Sequence, residues 1–288
     1  MQVKEIPVVF ECQGEQLIGM LHQPDQSAGL GVLIVVGGPQ YRVGSHRQFL
    51  LLARQLAAEG VPVMRFDVRG MGDSKGDSRR FDQLDADIEA AIDCFLISSS
   101  GVRGVVLWGL CDAAAAATFY SYQDTRVIGM VLLNPWVFTE QGAAKTYLKH
   151  YYWQRFSSPD FWRKIFFFQF DYAGSLMSFL ELIKQAIGRQ YHDSRSSGVD
   201  SVDQNLPLPA RVRECLKRSV CPVLLILSGR DLTADEFKDA VYNDDEWQRL
   251  LDDVRITRLD FAEADHTFSS VVWRDQVAQS TLNWIKQL

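Results

Sequence analysis

One cysteine lies at the junction of two contrasting stretches of sequence. The apolar run 104–110 predicts a buried strand, and the alanine-rich run after it predicts a tightly packed helix. Between them, Cys111 has a small residue two positions before it, Gly109, and another two positions after it, Ala113. A sharp strand-to-helix turn needs this spacing, because the flanking residues come too close together to carry large side chains. The pattern therefore predicts that Cys111 is a nucleophile presented at such a turn.

Two other interpretations of this stretch compete with a nucleophilic cysteine. Free cysteines are more often buried core residues than reactive groups. If Asp112 were the nucleophile instead, Leu110 would lie two positions before it, where a small residue is required. The spacing therefore disfavours an aspartate nucleophile. Cys111 is the better candidate if a base and an acid follow it in the chain.

An acid and a base do follow Cys111, each after a separate predicted strand. Asp231 follows the first of these strands, and Asp235 is the alternative acid. His266 is the only one of the five histidines that comes after the last predicted strand. The carboxyl ends of parallel strands converge at one edge of a sheet, so these side chains can meet. We expect Cys111 to attack an acyl carbon, His266 to take the thiol proton and Asp231 to orient the imidazole.

A glycine pair after another predicted strand is a candidate for binding the oxyanion formed in such an attack. Gly37 and Gly38 let the backbone approach a substrate closely. Pro39 has no N–H to donate, so either Gly38 or Gln40 supplies one donor. The backbone N–H of Asp112 is the expected second donor. The Asp112 side chain would oppose a nearby thiolate, and the sequence gives no reason for its presence.

Length and composition limit the class of protein. The chain has 288 residues, 47% of them hydrophobic, which is enough for one large core. Its net charge of −6 argues against nucleic acid as a partner. Neither a secretory signal pattern nor an apolar run of the roughly 18 residues needed for a transmembrane segment is found. The five cysteines lack metal-binding spacing, so we expect reduced thiols, a cytoplasmic protein, and no metal or cofactor.

Predicted strands and helices alternate through most of the chain, which indicates an α/β protein. The predicted strands are 3–12 and 16–22 (a hairpin), 31–36, 61–66, 104–110, 127–133, 221–227 and 254–261. Helices are expected from Ser45 to 59, from 82 or 84 to 98, after Cys111, and from after Phe268 to Leu288. The expected fold is a mostly parallel central sheet of about eight strands flanked by helices.

The alternation stops after the sixth strand, where we expect a helical cap at 137–219 inserted into a core of 1–136 and 220–288. Fourteen of the chain's 33 aromatic residues lie between Phe138 and Phe179, interleaved with basic residues. One interpretation is a lid that binds an acyl chain. The other is a surface for peripheral contact with anionic lipid. We favour the lid, with a pocket lined by Trp136, Phe166, Phe167 and Phe168.

These motifs resemble those of known families. The order Cys111, Asp231, His266 is similar to the nucleophile, acid, base order of the α/β-hydrolases, over nearly the whole chain. The loop 67–76, Asp-x-Arg-Gly-x-Gly-x-Ser-x-Gly, is common in that family, and we interpret it as structural. The stretches 37–49 and 109–113 resemble more narrowly the type-one hydrolases associated with the bacterial exosortase A system, except that Ala113 replaces a glycine.

The resemblance implies an acyl hydrolase acting on an ester, thioester or lactone through a thioester acyl-enzyme. Its substrate would be a small-molecule or lipid-like acyl compound, in a setting of surface-protein sorting and exopolysaccharide loci. One alternative is an acyltransferase, because polyhydroxyalkanoate synthases resemble this arrangement with a cysteine at the same turn. Another is a non-catalytic scaffold of a surface-polymer assembly, although a scaffold has no need of Cys111, Asp231 and His266.

Overall fold

The computed structural model describes residues 2–26, 29–38, 40–138 and 202–288. The strands in these ranges are β1 (Val3–Cys12), β2 (Glu15–Pro24), β3 (Leu30–Ile34), β4 (Val63–Phe66), β5 (Gly104–Leu110), β6 (Val127–Leu133), β7 (Val223–Arg230) and β8 (Ile256–Asp265). They form one sheet in the order β1-β2-β4-β3-β5-β6-β7-β8. The pairs β1–β2 and β2–β4 are antiparallel and all the others are parallel. The predicted mostly parallel sheet is confirmed.

Helices flank this sheet. The described α-helices are α1 (Gln48–Ala58), α2 (Asp85–Ser98), α3 (Asp112–Ser121), α4 (Leu208–Arg218), α5 (Leu232–Tyr242), α6 (Asp245–Leu251) and α7 (Val271–Ile285), and short 3-10 turns lie at Ser45–Arg47 and Phe81–Gln83. None of these helices is both long and apolar enough to span a membrane.

Side-chain alternation along β3 places helices on both faces of the sheet. Val32 and Ile34 are fully buried in a cluster that contains residues of α1 and α7. A Cβ on the intervening Gly31 would overlap the ring of Phe95 in α2. Since successive side chains of a strand point to opposite faces, α1 and α7 cover one face and α2 covers the other.

Two predicted boundaries differ from the structure in ways that affect the site. Ser45 does not cap a helix: Ser45–Arg47 form a 3-10 turn, and α1 begins at Gln48 without a side-chain cap. His46 and Arg47 have φ values of 52° and 61°, which interrupt the helical backbone. The last strand, β8, runs past its predicted end at 261 to Asp265, so His266 follows the strand directly.

The chain divides into two compact units, Met1–Ala143 with Asn205–Leu288, and Ala144–Gln204. Helix α4 belongs to the first of these units. Nearly all of the second unit lies outside the described residues. The cap predicted at 137–219 and its role as a lid therefore remain predictions.

Candidate active site

Cys111 stands at the turn between β5 and α3. Its backbone has φ 63° and ψ −122°, a strained conformation for a residue with a side chain. A Cβ on Gly109 would lie 2.6 Å from the carbonyl of Ala113, so only glycine fits two residues before the cysteine. The turn is held by its backbone, because the Cys111 N–H donates to the Leu133 carbonyl at 2.8 Å. This is the sharp turn that the spacing of small residues predicts.

Asp231 and His266 form a hydrogen-bonded pair at the ends of β7 and β8. The Asp231 Oδ2 atom lies 2.8 Å from Nδ1 of His266. The same carboxylate accepts two backbone N–H groups in the first turn of α5, both at 3.1 Å. Asp231 is only 9% exposed, so it is held in one orientation. The alternative acid, Asp235, instead pairs with Lys238 at 3.4 Å.

The electrostatics of His266 favour its protonated form. Its hydrogen bond with Asp231, and then one with Cys111, raise the pKa of His266 to about 10. The same imidazole interacts with Cys111, which is the arrangement that lets a histidine act as the base of a cysteine nucleophile. Burial, followed by the charge of Asp231, also raises the pKa of the nearby Glu236 to about 7. The arrangement is thus built to hold a proton on the histidine.

Sequence reasoning missed Asn134, which ties the ends of three strands together. This residue is fully buried just after β6, with φ 44°. Its Nδ2 donates to the carbonyl of His266 at 3.1 Å, and its Oδ1 accepts the N–H of Ser228 in β7 at 2.9 Å. Asn134 therefore positions the segments that carry both the histidine and the acid. The available signal was a polar amide directly after an entirely apolar strand.

The candidate oxyanion donors also lie near the turn. The N–H of Gly38 donates to Oδ2 of Asp112 at 2.8 Å, so it is directed at the residue after Cys111. The side chain of Gln40 is used differently, since its Oε1 accepts the N–H of Ser45 at 3.3 Å. The contact between Gly38 and Asp112 joins segments 74 positions apart.

The segment after β3 is anchored by the loop at 67–76. Asp67, fully buried, accepts the N–H of Arg42 at 2.6 Å and also pairs with its guanidinium. The N–H of Asp73 donates to the same carboxylate at 3.0 Å. Arg42 makes a second ion pair with Asp73 at 2.7 Å. The loop's charges therefore hold the neighbouring segment in place, which fits the structural interpretation of its motif.

The predicted pocket residues are only partly described. Trp136 donates its backbone N–H to the carbonyl of Cys111 at 3.1 Å. Its ring stacks on Phe138 with centroids 5.3 Å apart, and Phe138 is 36% exposed. The predictions for Phe166, Phe167 and Phe168 lie outside the described residues.

Strand order, helices on both faces and a nucleophile-type turn after β5 define the α/β-hydrolase fold. The profile of the alpha/beta hydrolase family matches residues 32–279, and the chain belongs to this family. No curated protein matches the chain in sequence.

Solved structures with a similar fold include several esterases and hydrolases. The Pyrococcus furiosus esterase Pf2001 is 15% identical with a TM-score of 0.65, over 99% of this chain and 93% of that one. The dienelactone hydrolase of Anabaena variabilis is 15% identical with a TM-score of 0.61, over 100% and 99%. The esterase domain of a Rhodothermus marinus protein is 16% identical with a TM-score of 0.60, over 100% and 99%. Family and fold support the prediction of an ester-acting hydrolase.

Thiol reactivity should distinguish Cys111 from the other four cysteines. Burial raises the pKa of Cys12, Cys94, Cys215 and Cys221, that of Cys215 to about 12. We expect iodoacetamide to label Cys111 first at neutral pH, because only Cys111 lies next to His266. Peptide mass spectrometry after timed labelling measures the five rates, and His266→Ala should slow the reaction at Cys111 alone. Equal rates at all five sites would contradict an activated thiol.

The choice of acid can be tested through the titration of His266. Asp231→Asn should lower the pKa of His266 below about 10, because the hydrogen bond with Asp231 is the largest cause of its rise. NMR of 13C-labelled histidine across pH measures this pKa. Asp235→Asn is the matched control and should leave it unchanged, since that carboxylate pairs with Lys238. The reverse pattern would make Asp235 the acid.

Proposed function

We propose that this protein is an acyl hydrolase that cleaves an ester, thioester or lactone through a thioester intermediate on Cys111. The observation that carries the proposal is the 2.8 Å hydrogen bond between Asp231 and His266, together with the interaction of His266 with Cys111 at the strained turn. Such an arrangement raises the proton affinity of the histidine and orients it towards the sulfur.

In the first half of the reaction, Sγ of Cys111 attacks the acyl carbon and the carbonyl electrons move onto oxygen. When this intermediate collapses, the bond to the leaving group breaks and the leaving group takes a proton from His266. In the second half, a water molecule gives a proton to His266 and attacks the thioester. The carbon–sulfur bond then breaks, releasing the acid and returning Cys111 and His266 to the state in which they began.

The setting proposed for this reaction follows from the cysteines and the sequence resemblance. All five cysteines are free of disulfides, which supports a reducing compartment and hence the cytoplasm. The resemblance to type-one exosortase A system-associated hydrolases supports a link to exosortase and exopolysaccharide systems, with a small-molecule or lipid-like acyl substrate.

The experiment that tests this function identifies the acyl group on the protein directly. The protein is incubated with acyl thioesters, p-nitrophenyl esters and lactones of increasing chain length. The reaction is then quenched rapidly with acid, and the intact protein is measured by mass spectrometry. We expect a mass increase equal to one acyl group, located on Cys111 by peptide mapping. Turnover without any adduct, or an adduct on another residue, would contradict a thioester at Cys111.

The same assay separates hydrolysis from acyl transfer. A hydrolase loses its adduct at a rate independent of added alcohol or amine, and releases the free acid. An acyltransferase releases the acyl group as a new ester or amide when an acceptor is added. Absence of both adduct and turnover across the panel would favour the scaffold.

A further inference from the structure

The carboxylate of Asp112 is hydrogen-bonded to a backbone N–H that is a candidate oxyanion donor. Its Oδ2 accepts the N–H of Gly38 at 2.8 Å, and its Oδ1 accepts the N–H of Ala113 at 3.0 Å. Gly38 is one of the two residues, with Gln40, that the sequence offers as the first oxyanion donor. A negatively charged oxygen of the protein itself thus already uses that donor.

The backbone around this carboxylate is shaped to admit it. A Cβ on Gly37 would overlap Oδ1 of Asp112 and would lie 2.7 Å from the N–H nitrogen of Ala113. Gly38 adopts φ 59°, a left-handed conformation that favours glycine. The missing side chain of Gly37 therefore leaves room for the Asp112 side chain between the segment after β3 and the start of α3.

We propose that the Asp112 carboxylate occupies the oxyanion hole of the resting enzyme and has to leave it before an acyl oxygen can bind there. This inference rests on the proposed function, because the acyl oxygen is that of a substrate attacked by Cys111. Asp112 is thus a specificity-determining residue: substrates that displace its side chain react, and those that cannot are excluded.

The physical reason is competition for one donor. The Gly38 N–H cannot donate fully to both the carboxylate and the developing oxyanion, and two adjacent negative oxygens repel each other. Burial raises the pKa of the Asp112 carboxyl, which shows that its charged form is poorly solvated at this position. Removing the carboxylate frees the donor and removes the repulsion, while the backbone N–H of residue 112 is kept.

The test compares two reactions of the Cys111 thiol, of which only one forms an oxyanion. Acylation by p-nitrophenyl acetate passes through a tetrahedral oxyanion, whereas alkylation by iodomethane does not. Asp112→Ala should raise the ratio of the acylation rate to the alkylation rate by about tenfold or more, the effect of one charge-assisted hydrogen bond. Because the ratio divides out thiol nucleophilicity, it reports on the oxyanion hole alone.

Two further variants complete the test. Asp112→Asn keeps the size of the side chain but removes its charge, so it should raise the ratio less than Asp112→Ala does. It replaces Asp112→Ala in the test if the alanine variant fails to fold. Asp245→Ala removes an acid from the first turn of α6 and should leave the ratio unchanged. An unchanged or lower ratio in both Asp112 variants would overturn the inference, whereas persistence of acylation in Cys111→Ala would overturn the proposed function instead.

Discussion

Replacing Cys111 with alanine is expected to lower acyl hydrolysis at least about a thousandfold while leaving the fold intact. The loss follows because the proposed intermediate forms on the Cys111 sulfur, and without it only binding and oxyanion contacts remain. The fold should persist, since alanine and cysteine both place a Cβ on the same strained backbone. Steady-state kinetics on the best substrate of the panel measures the loss, and circular dichroism during heating checks the fold.

A matched control is available in Cys94, a half-buried cysteine whose sulfur lies 3.8 Å from the Ser98 hydroxyl on α2. Cys94→Ala should hydrolyse substrate at the parental rate. Cys111→Ser should keep only weak activity, because a serine depends more heavily on its base than a cysteine does. Hydrolysis by Cys111→Ala at the parental rate would rule out the cysteine nucleophile.

The largest expected loss of stability comes from Asp87→Ala. Asp87 is fully buried in α2 and accepts hydrogen bonds from three donors of Arg69: its backbone N–H at 2.8 Å, Nε at 3.0 and 3.1 Å, and Nη2 at 2.7 Å. Arg69 is itself only 4% exposed. Removing the carboxylate leaves this guanidinium buried without its ion-pair partner, which costs about 3–5 kcal/mol. Urea unfolding at neutral pH measures the change.

A surface pair provides the comparison for this experiment. Asp93 pairs with Arg126, and the Asp93 side chain is 55% exposed. Asp93→Ala should lower the free energy of unfolding by about 0–1 kcal/mol, as exposed ion pairs do. Replacing both partners of the buried pair, as Arg69→Met with Asp87→Leu, should restore part of the loss because no uncompensated charge remains. A cost for Asp87→Ala no greater than that for Asp93→Ala would contradict this account.

The sequence by itself determined the features that depend on neighbouring residues. The turn at Cys111 could be predicted because its steric requirement falls on Gly109 and Ala113, two positions either side. The strand alternation was equally local, since the periodicity of apolar side chains is visible within each segment. The order of Cys111, Asp231 and His266 could be predicted because each residue comes shortly after a predicted strand.

The tertiary structure decided the features that join distant segments. The hydrogen bond between Gly38 and Asp112 spans 74 positions, and that between Asn134 and His266 spans 132. Neither residue type nor spacing reveals such contacts, because each depends on how adjacent parallel strands bring their ends together. The sequence placed the groups that could do chemistry at the strand ends, but only the packing of those ends showed that the Gly38 N–H donates to the Asp112 carboxylate.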